Sequence, residues 1–320
     1  MNTRRHFATW LTASLIGAAL ISPAQAQEVR KLRIALVPGI GCLSIYVAAV
    51  KGFFKAENLD LEEIPINTGP GAATAVASNS ADVGYGGALP IILARSQSIP
   101  FRFVMGGYYE QAPLSSDTAI IASNKSGINS PADLKGKVIA VNNAGGVNDQ
   151  QVRLKLAEAG IPIESVKILA VPFPQMQAAL QIGNADAVAT VEPFRTAILQ
   201  AKLGKVIARG YVKDKDLTKA VPVGVFYATE QWINGNADTL ARLKRSIDRA
   251  NDFIKANPAE AKTILVQRLR LPADVVAALT LPPYTATIDP AGVQAVMDAA
   301  LSVGILKNPM KAQEMFADSK

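Results

Sequence analysis

Three short glycine-rich turns hold the residues best suited to grip a ligand: Pro38-Gly39-Ile40-Gly41, Thr68-Gly69-Pro70-Gly71 and Ala144-Gly145-Gly146-Val147. Each follows an apolar strand-like run and precedes a helix-like one. Its backbone N–H groups therefore stand at the positive end of a helix dipole with no intrahelical partner. The chemistry such turns support is recognition of an anion or an acceptor-rich group by main-chain amides. Taken singly, each reads equally well as a tight turn; three at strand ends favour a ligand. None is a Walker loop, since the lysine is missing, and none completes a Rossmann fingerprint.

Glu192 is the most informative charge. It follows the apolar run 187–191 and precedes Pro193, which favours an extended backbone before it. Two readings stand side by side: a cleft carboxylate that contacts ligand or fixes a closed state, and a surface carboxylate capping the next helix. Cys42 and Tyr46 open the first helix beside the first turn, and Cys42 also reads as a small buried hydrophobe. Phe173, Phe194 and Phe226 suit either the wall around an apolar ligand portion or a core. His6, the only histidine, falls within the export leader expected over residues 1–26 and is lost with it, and Cys42 is the only cysteine. Internal disulfides, cysteine zinc sites and serine-triad chemistry are thereby excluded, whereas carboxylate, lysine or tyrosine chemistry is not. No metal and no cofactor is expected.

These residues need elements to place them. Residues 171–194 read as one βαβ passage: a strand ending at Val171, a helix over 175–182, a stop at Gly183-Asn184, and a buried strand over 187–191. The same grammar occurs about a hundred residues earlier, where Ser80-Ala81-Asp82 answers Asn184-Ala185-Asp186 and Leu89-Pro90 answers Glu192-Pro193. Two similar lobes explain the echo, as does chance likeness of two βαβ units. Strands are expected over 32–37, 59–66, 101–106, 118–122, 138–141, 166–171, 206–207 and 221–229, with helices between, including 43–50 and 150–159. That alternation predicts mainly parallel sheets covered on both faces. Residues 108–117 read as a polar break. Leu240, Leu243, Ile247, Ala250 and Ile254 form a helical core stripe. Two crossings are expected, giving a first lobe of residues 30–113 plus 222–320 and a second of 114–221.

At 320 residues, with 49% apolar and 18% charged residues, the chain reads as globular. A net charge of +7, spread without a basic block, argues against nucleic-acid binding. Residues 1–26 read as an export leader, with Arg4-Arg5, an apolar stretch over 7–21 and Ala24-Gln25-Ala26 as the cleavage site. Both a Sec and a twin-arginine signal fit. The expectation is a soluble periplasmic protein, cleaved after Ala26, and a monomer.

Five segments in this order carry a family resemblance: Lys51-Gly52-Phe53-Phe54-Lys55-Ala56-Glu57-Asn58-Leu59, Thr68-Gly69-Pro70, Ala81-Asp82-Val83-Gly84-Tyr85-Gly86-Gly87, Asp133-Leu134-Lys135-Gly136-Lys137 and Val191-Glu192-Pro193-Phe194. Over nearly all of the chain after the leader, the sequence resembles the nitrate/sulfonate/taurine-type substrate-binding proteins of bacterial ABC importers. The resemblance implies a type II periplasmic-binding fold of two α/β lobes on a two-strand hinge. It also implies a small anionic solute and delivery to a permease with its ATPase. It places the ligand among Gly41, Cys42, Leu43, Ser44, Tyr46, Gly69, Pro70, Gly87, Ala88, Asn143, Gly145, Gly146, Val147, Asn148 and Glu192, to which Phe226 is added as a candidate apolar wall. Leu43-Ser44-Ile45-Tyr46 departs from the proline often found before that tyrosine, so the ligand's identity does not carry over. The related pyrimidine synthases use histidine and clustered cysteines that this chain lacks. A lyase on the same fold, with Glu192 or Tyr109 as acid–base group, and a ligand-sensing module are the other readings.

Overall fold

The computed structural model describes residues 28–112 and 117–316; the expected leader and His6 lie outside them. Strand β1 (Arg30–Leu36) leads through a 3-10 turn into α1 (Leu43–Val50) and α2 (Phe53–Ala56). Then come β2 (Leu59–Pro65), α3 (Gly69–Ala77), β3 (Val83–Gly87), α4 (Ala88–Ser96) and β4 (Phe101–Glu110). The chain crosses to a second sheet with β5 (Ala119–Ser123), β6 (Val138–Val141), α5 (Val147–Glu158), β7 (Lys167–Ala170) and α6 (Phe173–Gln181). After β8 (Ala187–Thr190), α7 (Phe194–Gln200) and β9 (Gly204–Arg209) it returns as β10 (Val221–Thr229). Helices α8 (Glu230–Gly235), α9 (Ala237–Ala256), α10 (Pro258–Leu269), α11 (Ala273–Ala277) and α12 (Pro290–Ser302) follow.

The two five-stranded sheets have matching orders, β2-β1-β3-β10-β4 and β7-β6-β8-β5-β9. In each, the fourth strand runs antiparallel to both neighbours, and in each it is the strand that arrives from the other sheet. The fold is thus a two-lobed α/β arrangement joined by two crossings. Strand alternation divides each sheet between two cores. On β1, Ala35 packs with Leu89, Tyr227 and Val296 on one face, while Ile34 and Leu36 pack with Phe226, Leu243 and Ile247 on the other. On β5, Ile121 and Ile120 divide in the same way. The α9 stripe of Leu243, Ile247, Ala250 and Ile254 is buried against the first sheet, which is why that helix forms despite its many charges.

The sequence echo has one structural role in both lobes. Asp82 Oδ2 accepts the backbone N–H of Arg33 at 2.8 Å, and Asp186 Oδ2 accepts that of Val138 at 2.8 Å. Each aspartate also donates its own N–H back to the same strand residue, at 2.9 and 2.8 Å. The carboxylate thus stitches the strand that follows it, β3 or β8 at the centre of each sheet, to the neighbouring β1 or β6. Asp186→Ala is expected to lose about 1–2 kcal/mol of stability in urea unfolding, with Asp186→Asn, which keeps an acceptor, losing less. Equal losses in the two variants would sink that account.

Some expected boundaries move for identifiable reasons. β4 runs on through Tyr108 to Glu110, into the expected break, because Tyr109 and Glu110 stay in register with Pro222 and Val221 of β10. α5 starts at Val147, ahead of the expected 150, because the Asp149 carboxylate takes the Gly145 N–H at 2.8 Å and closes the helix entrance. α6 starts at Phe173, with Pro174 in its first turn. The Glu192–Pro193 peptide is cis.

Candidate binding site

Between the sheets lies a cavity whose empty space, open solvent included, is ≈ 710 Å³. The first sheet contributes Val37 to Gly41 after β1, Gly69 at the start of α3, Tyr85, Gly86, Gly87 and Pro90 around the β3–α4 junction, Tyr108 on β4, and Val223 and Gly224 on β10. The second contributes Asn142 and Asn143 after β6, Gly146 to Asn148 at the start of α5, Phe173 at the start of α6, and Val191 and Glu192 after β8. Most of these lie at or near strand ends or helix starts, where open α/β sheets keep their ligands. The entrance to α4 is capped by Gly87 with no side-chain hydrogen bond and no acid in its first turn, whereas that of α5, capped by Gly146, carries Asp149 in its first turn.

Three buried side-chain donors on the wall have no hydrogen-bond partner: the Tyr85 hydroxyl and the Nδ2 groups of Asn142 and Asn148. They come from both sheets. Burial pushes the Tyr85 pKa well above its ordinary value, so the phenol stays a neutral donor. A buried polar group without a partner is disfavoured, so three on residues around one cavity favour an acceptor-rich molecule. Among the described residues no lysine or arginine lines the cavity.

Glu192 is the single charged residue on the wall among the described residues, and it unites the two expectations for it with one correction. It lines the cavity, yet it also caps α7, accepting Thr196 N–H at 3.0 Å and Thr196 Oγ1 at 2.9 Å, and it is paired with Arg195. With 3% of its surface exposed it is buried, not superficial.

Gly41, Gly69, Gly87, Asn143, Gly146, Val147, Asn148 and Glu192 of the expected set meet at this cavity. Gly41 matters for its missing side chain: a Cβ there would stand 2.6 Å from Tyr108 Cε1 and 2.7 Å from the Tyr85 hydroxyl. Gly87 lets the lobes approach, since its Cβ would be 3.1 Å from Val147 Cγ2 across the cleft.

Cys42, Leu43, Ser44, Tyr46, Pro70, Ala88, Gly145 and Phe226 of the expected set do not line this cavity. α1 turns them inward. The Cys42 thiol donates to Val37 O at 3.2 Å and is pushed up to about 12 by burial, Leu43 is in the core, and Ser44 Oγ donates to Asn251 Oδ1 at 2.6 Å. Tyr46 packs beneath the Arg268 guanidinium, 4.6 Å from the ring centroid. Ala88 is buried in α4, and Pro70 and Gly145 line a neighbouring groove with Leu93. Phe226 meets Tyr85 edge-on at 4.7 Å and supports the wall from behind. Phe194 stacks on the wall residue Phe173 at 5.7 Å. Tyr85, Tyr108 and Asn142 were absent from the expected set. Asn142 directly follows an apolar strand, which is the signal that marks it, whereas Tyr85 sits in the middle of β3 and Tyr108 in what reads as a break.

A family model described as NMT1/THI5 like matches residues 41–261. The nitrate/nitrite binding protein NrtA of Nostoc sp. is 25% identical over 255 residues, which are 74% of this chain and 57% of NrtA, so the chain spans little more than half that relative. The solved structure of the alkanesulfonate-binding protein SsuA from Xanthomonas axonopodis pv. citri bound to MOPS matches with a TM-score of 0.77 at 22% identity, over 91% of this chain and 99% of SsuA. The desulfurization enzyme DSZB matches with a TM-score of 0.65 at 13% identity, over 90% of this chain and 96% of its own. These structural likenesses establish the periplasmic-binding fold.

Proposed function

The chain belongs to the NMT1/THI5-like family, and from that membership we propose that it is the periplasmic solute-binding component of an ABC importer. It captures a small organic anion, sulfonate-, taurine-, nitrate- or carboxylate-like, between a lobe of residues 30–113 plus 222–320 and a lobe of residues 114–221. It delivers that solute, as a monomer, to a permease and its ATPase in the inner membrane. The leader over residues 1–26 supplies export.

The observation that carries this reading is the set of three unpartnered buried donors on cavity-lining residues of both sheets, Tyr85, Asn142 and Asn148. Neutral donors and helix entrances suit a single, delocalised negative charge; a doubly charged ion, with no cationic side chain to meet it, would be left poorly compensated. The apolar side chains of Val37, Ile40, Pro90, Val147, Phe173, Val191 and Val223 favour a ligand with a hydrocarbon portion. Closing the lobes shields the group from water and strengthens each hydrogen bond. Binding without catalysis is the reading these features support. Calorimetry with nitrate, taurine, acetate and alkanesulfonates from ethane- to octanesulfonate is expected to give saturable binding of at least one sulfonate, with compaction in solution scattering. Absence of saturable binding across the series would overturn it.

The likeness to DSZB supports one other reading, a catalyst that uses the buried Glu192 on the cavity wall. Substrate turnover by purified protein, lost in Glu192→Gln, would favour it.

A further inference from the structure

The cavity has walls from two different sheets, and one buried carboxylate is bonded to both. Asp117 stands just before β5, where the chain arrives in the second sheet, with 4% of its surface exposed. Its Oδ2 accepts the Tyr108 hydroxyl at 2.7 Å, and its Oδ1 accepts the backbone N–H of Glu192 at 2.8 Å. Tyr108 belongs to β4 of the first sheet and Glu192 follows β8 of the second; both line the cavity, and Asp117 does not. Arg195 Nη1 donates to the Asp117 backbone oxygen at 3.2 Å, anchoring the aspartate from behind. The Tyr108 ring packs closely over two glycines: Cβ atoms at Gly41 and Gly224 would meet it at 2.6 and 2.9 Å.

Resting on the reading of this cavity as the ligand site, we propose that Asp117 is its positioning residue. Its two carboxylate oxygens set one wall group of each lobe in the closed cleft, and ligand affinity falls when that carboxylate takes up a proton. A neutral carboxylic acid loses the charge that strengthens both bonds, and its protonated oxygen can meet Tyr108 only as the donor of a weaker, neutral hydrogen bond. The tie between the two walls is then weakened.

The surroundings place this titration in an accessible window. Tyr108 and Glu110 face Asp117 from β4, Tyr85 from β3, Tyr284 from the segment before α12, and Glu192 and Arg195 from the β8–α7 junction. Arg209 of β9 belongs to the same group through Arg195, Glu192 and Glu110. Burial, and next the Glu192 charge, push Asp117 up to about 6, against the lowering pull of the Tyr108 and Glu192 hydrogen bonds and of Arg195. Glu110 is pushed up to about 7, chiefly by burial, but its Oε1 accepts the Thr118 N–H at 2.6 Å and the Thr118 hydroxyl at 2.9 Å, away from the cavity. The sign follows. Affinity is full where Asp117 is ionised and declines as pH falls through about 6.

The test is calorimetry from pH 5 to 8 on the full exported chain, using whichever of ethanesulfonate, octanesulfonate, taurine, nitrate or acetate the parent binds most tightly. The parent Kd is expected to weaken about tenfold from pH 7.5 to 5, the size of one lost charge-assisted hydrogen bond. Asp117→Asn is expected to be weakened to a similar degree already at pH 7.5 and flat below it. Tyr108→Phe, which removes one tie and keeps the carboxylate, is the second variant should Asp117→Asn fail to fold, and it should shrink the same pH step. Glu110→Gln should retain the step. Parent-like Kd values and pH profiles in folded Asp117→Asn or Tyr108→Phe would overturn the proposal, as would a step that vanishes in Glu110→Gln alone. Binding with no positioning by Asp117 leaves the solute-binding reading standing. If the parent binds none of the probes, both fall.

Discussion

Tyr85→Phe is expected to weaken ligand binding by about tenfold or more, while leaving the folded protein as stable as the parent or slightly more so. The Tyr85 hydroxyl has 3% residue exposure around it and no hydrogen-bond partner, and it stands on the cavity wall. In the unliganded fold that orphan donor is a burden, and removing it relieves a desolvation penalty of about 1–3 kcal/mol in part. With an anion bound, the same hydroxyl supplies a charge-assisted hydrogen bond, whose loss corresponds to roughly tenfold or more in Kd. The two effects have opposite signs. A merely structural tyrosine would lose stability and affinity together. Tyr227→Phe is the control, because its hydroxyl is equally unpartnered and buried but lies off the cavity. It should leave Kd unchanged. Parent-like affinity in Tyr85→Phe, measured by calorimetry beside thermal unfolding, would remove Tyr85 from the site.

Gly84→Ala is expected to be the most disruptive single-atom change, destabilising the protein by about 3 kcal/mol or preventing folding. Gly84 lies in β3, and its φ is not in the left-handed region. It is glycine for space alone. A Cβ there would come 2.1 Å from Tyr227 Cζ, 2.4 Å from its hydroxyl and 2.5 Å from Cε2. The strand pairing sets Gly84 directly opposite Tyr227 on β10, so neither backbone is free to retreat. Nor can the ring swing aside, because it is fully buried and packs edge-on against Phe101 at 5.4 Å. Urea unfolding tests this, and a double-mutant cycle localises it: Gly84→Ala should cost much less in a Tyr227→Ala background. A loss below about 1 kcal/mol in the parent background would show that the core yields where close packing says it does not.

Much of the architecture is legible along the chain. The apolar runs became strands, the 3.6-residue stripe of α9 became a core face, and the echo of Ala81-Asp82 in Ala185-Asp186 proved to be one stitch used twice. Glycine turns at strand ends did find the cavity. Their chemistry was only half readable: Gly41 reads as a donor of a free amide, whereas its neighbours require that it carry no Cβ. Glu192 was marked by its neighbours in sequence, yet its burial and its pairing with Arg195 depend on how α7 seats. The burial of the run from Cys42 to Tyr46 was not legible, because the helix it opens has apolar residues all round and gives no sign of which face meets the cleft.

The sequence by itself determined the order of strands and helices, the two-lobed α/β class, the family, and the turns where a ligand would lie. Those properties depend on neighbours a few residues apart, where periodicity, caps and turn residues act. Only the tertiary structure decided which side chains reach the cavity, which donors are left without partners, and that Asp117 joins Tyr108 to Glu192, 75 residues away. Whether a polar group is satisfied depends on every atom packed around it, and those atoms come from segments that no local pattern brings together.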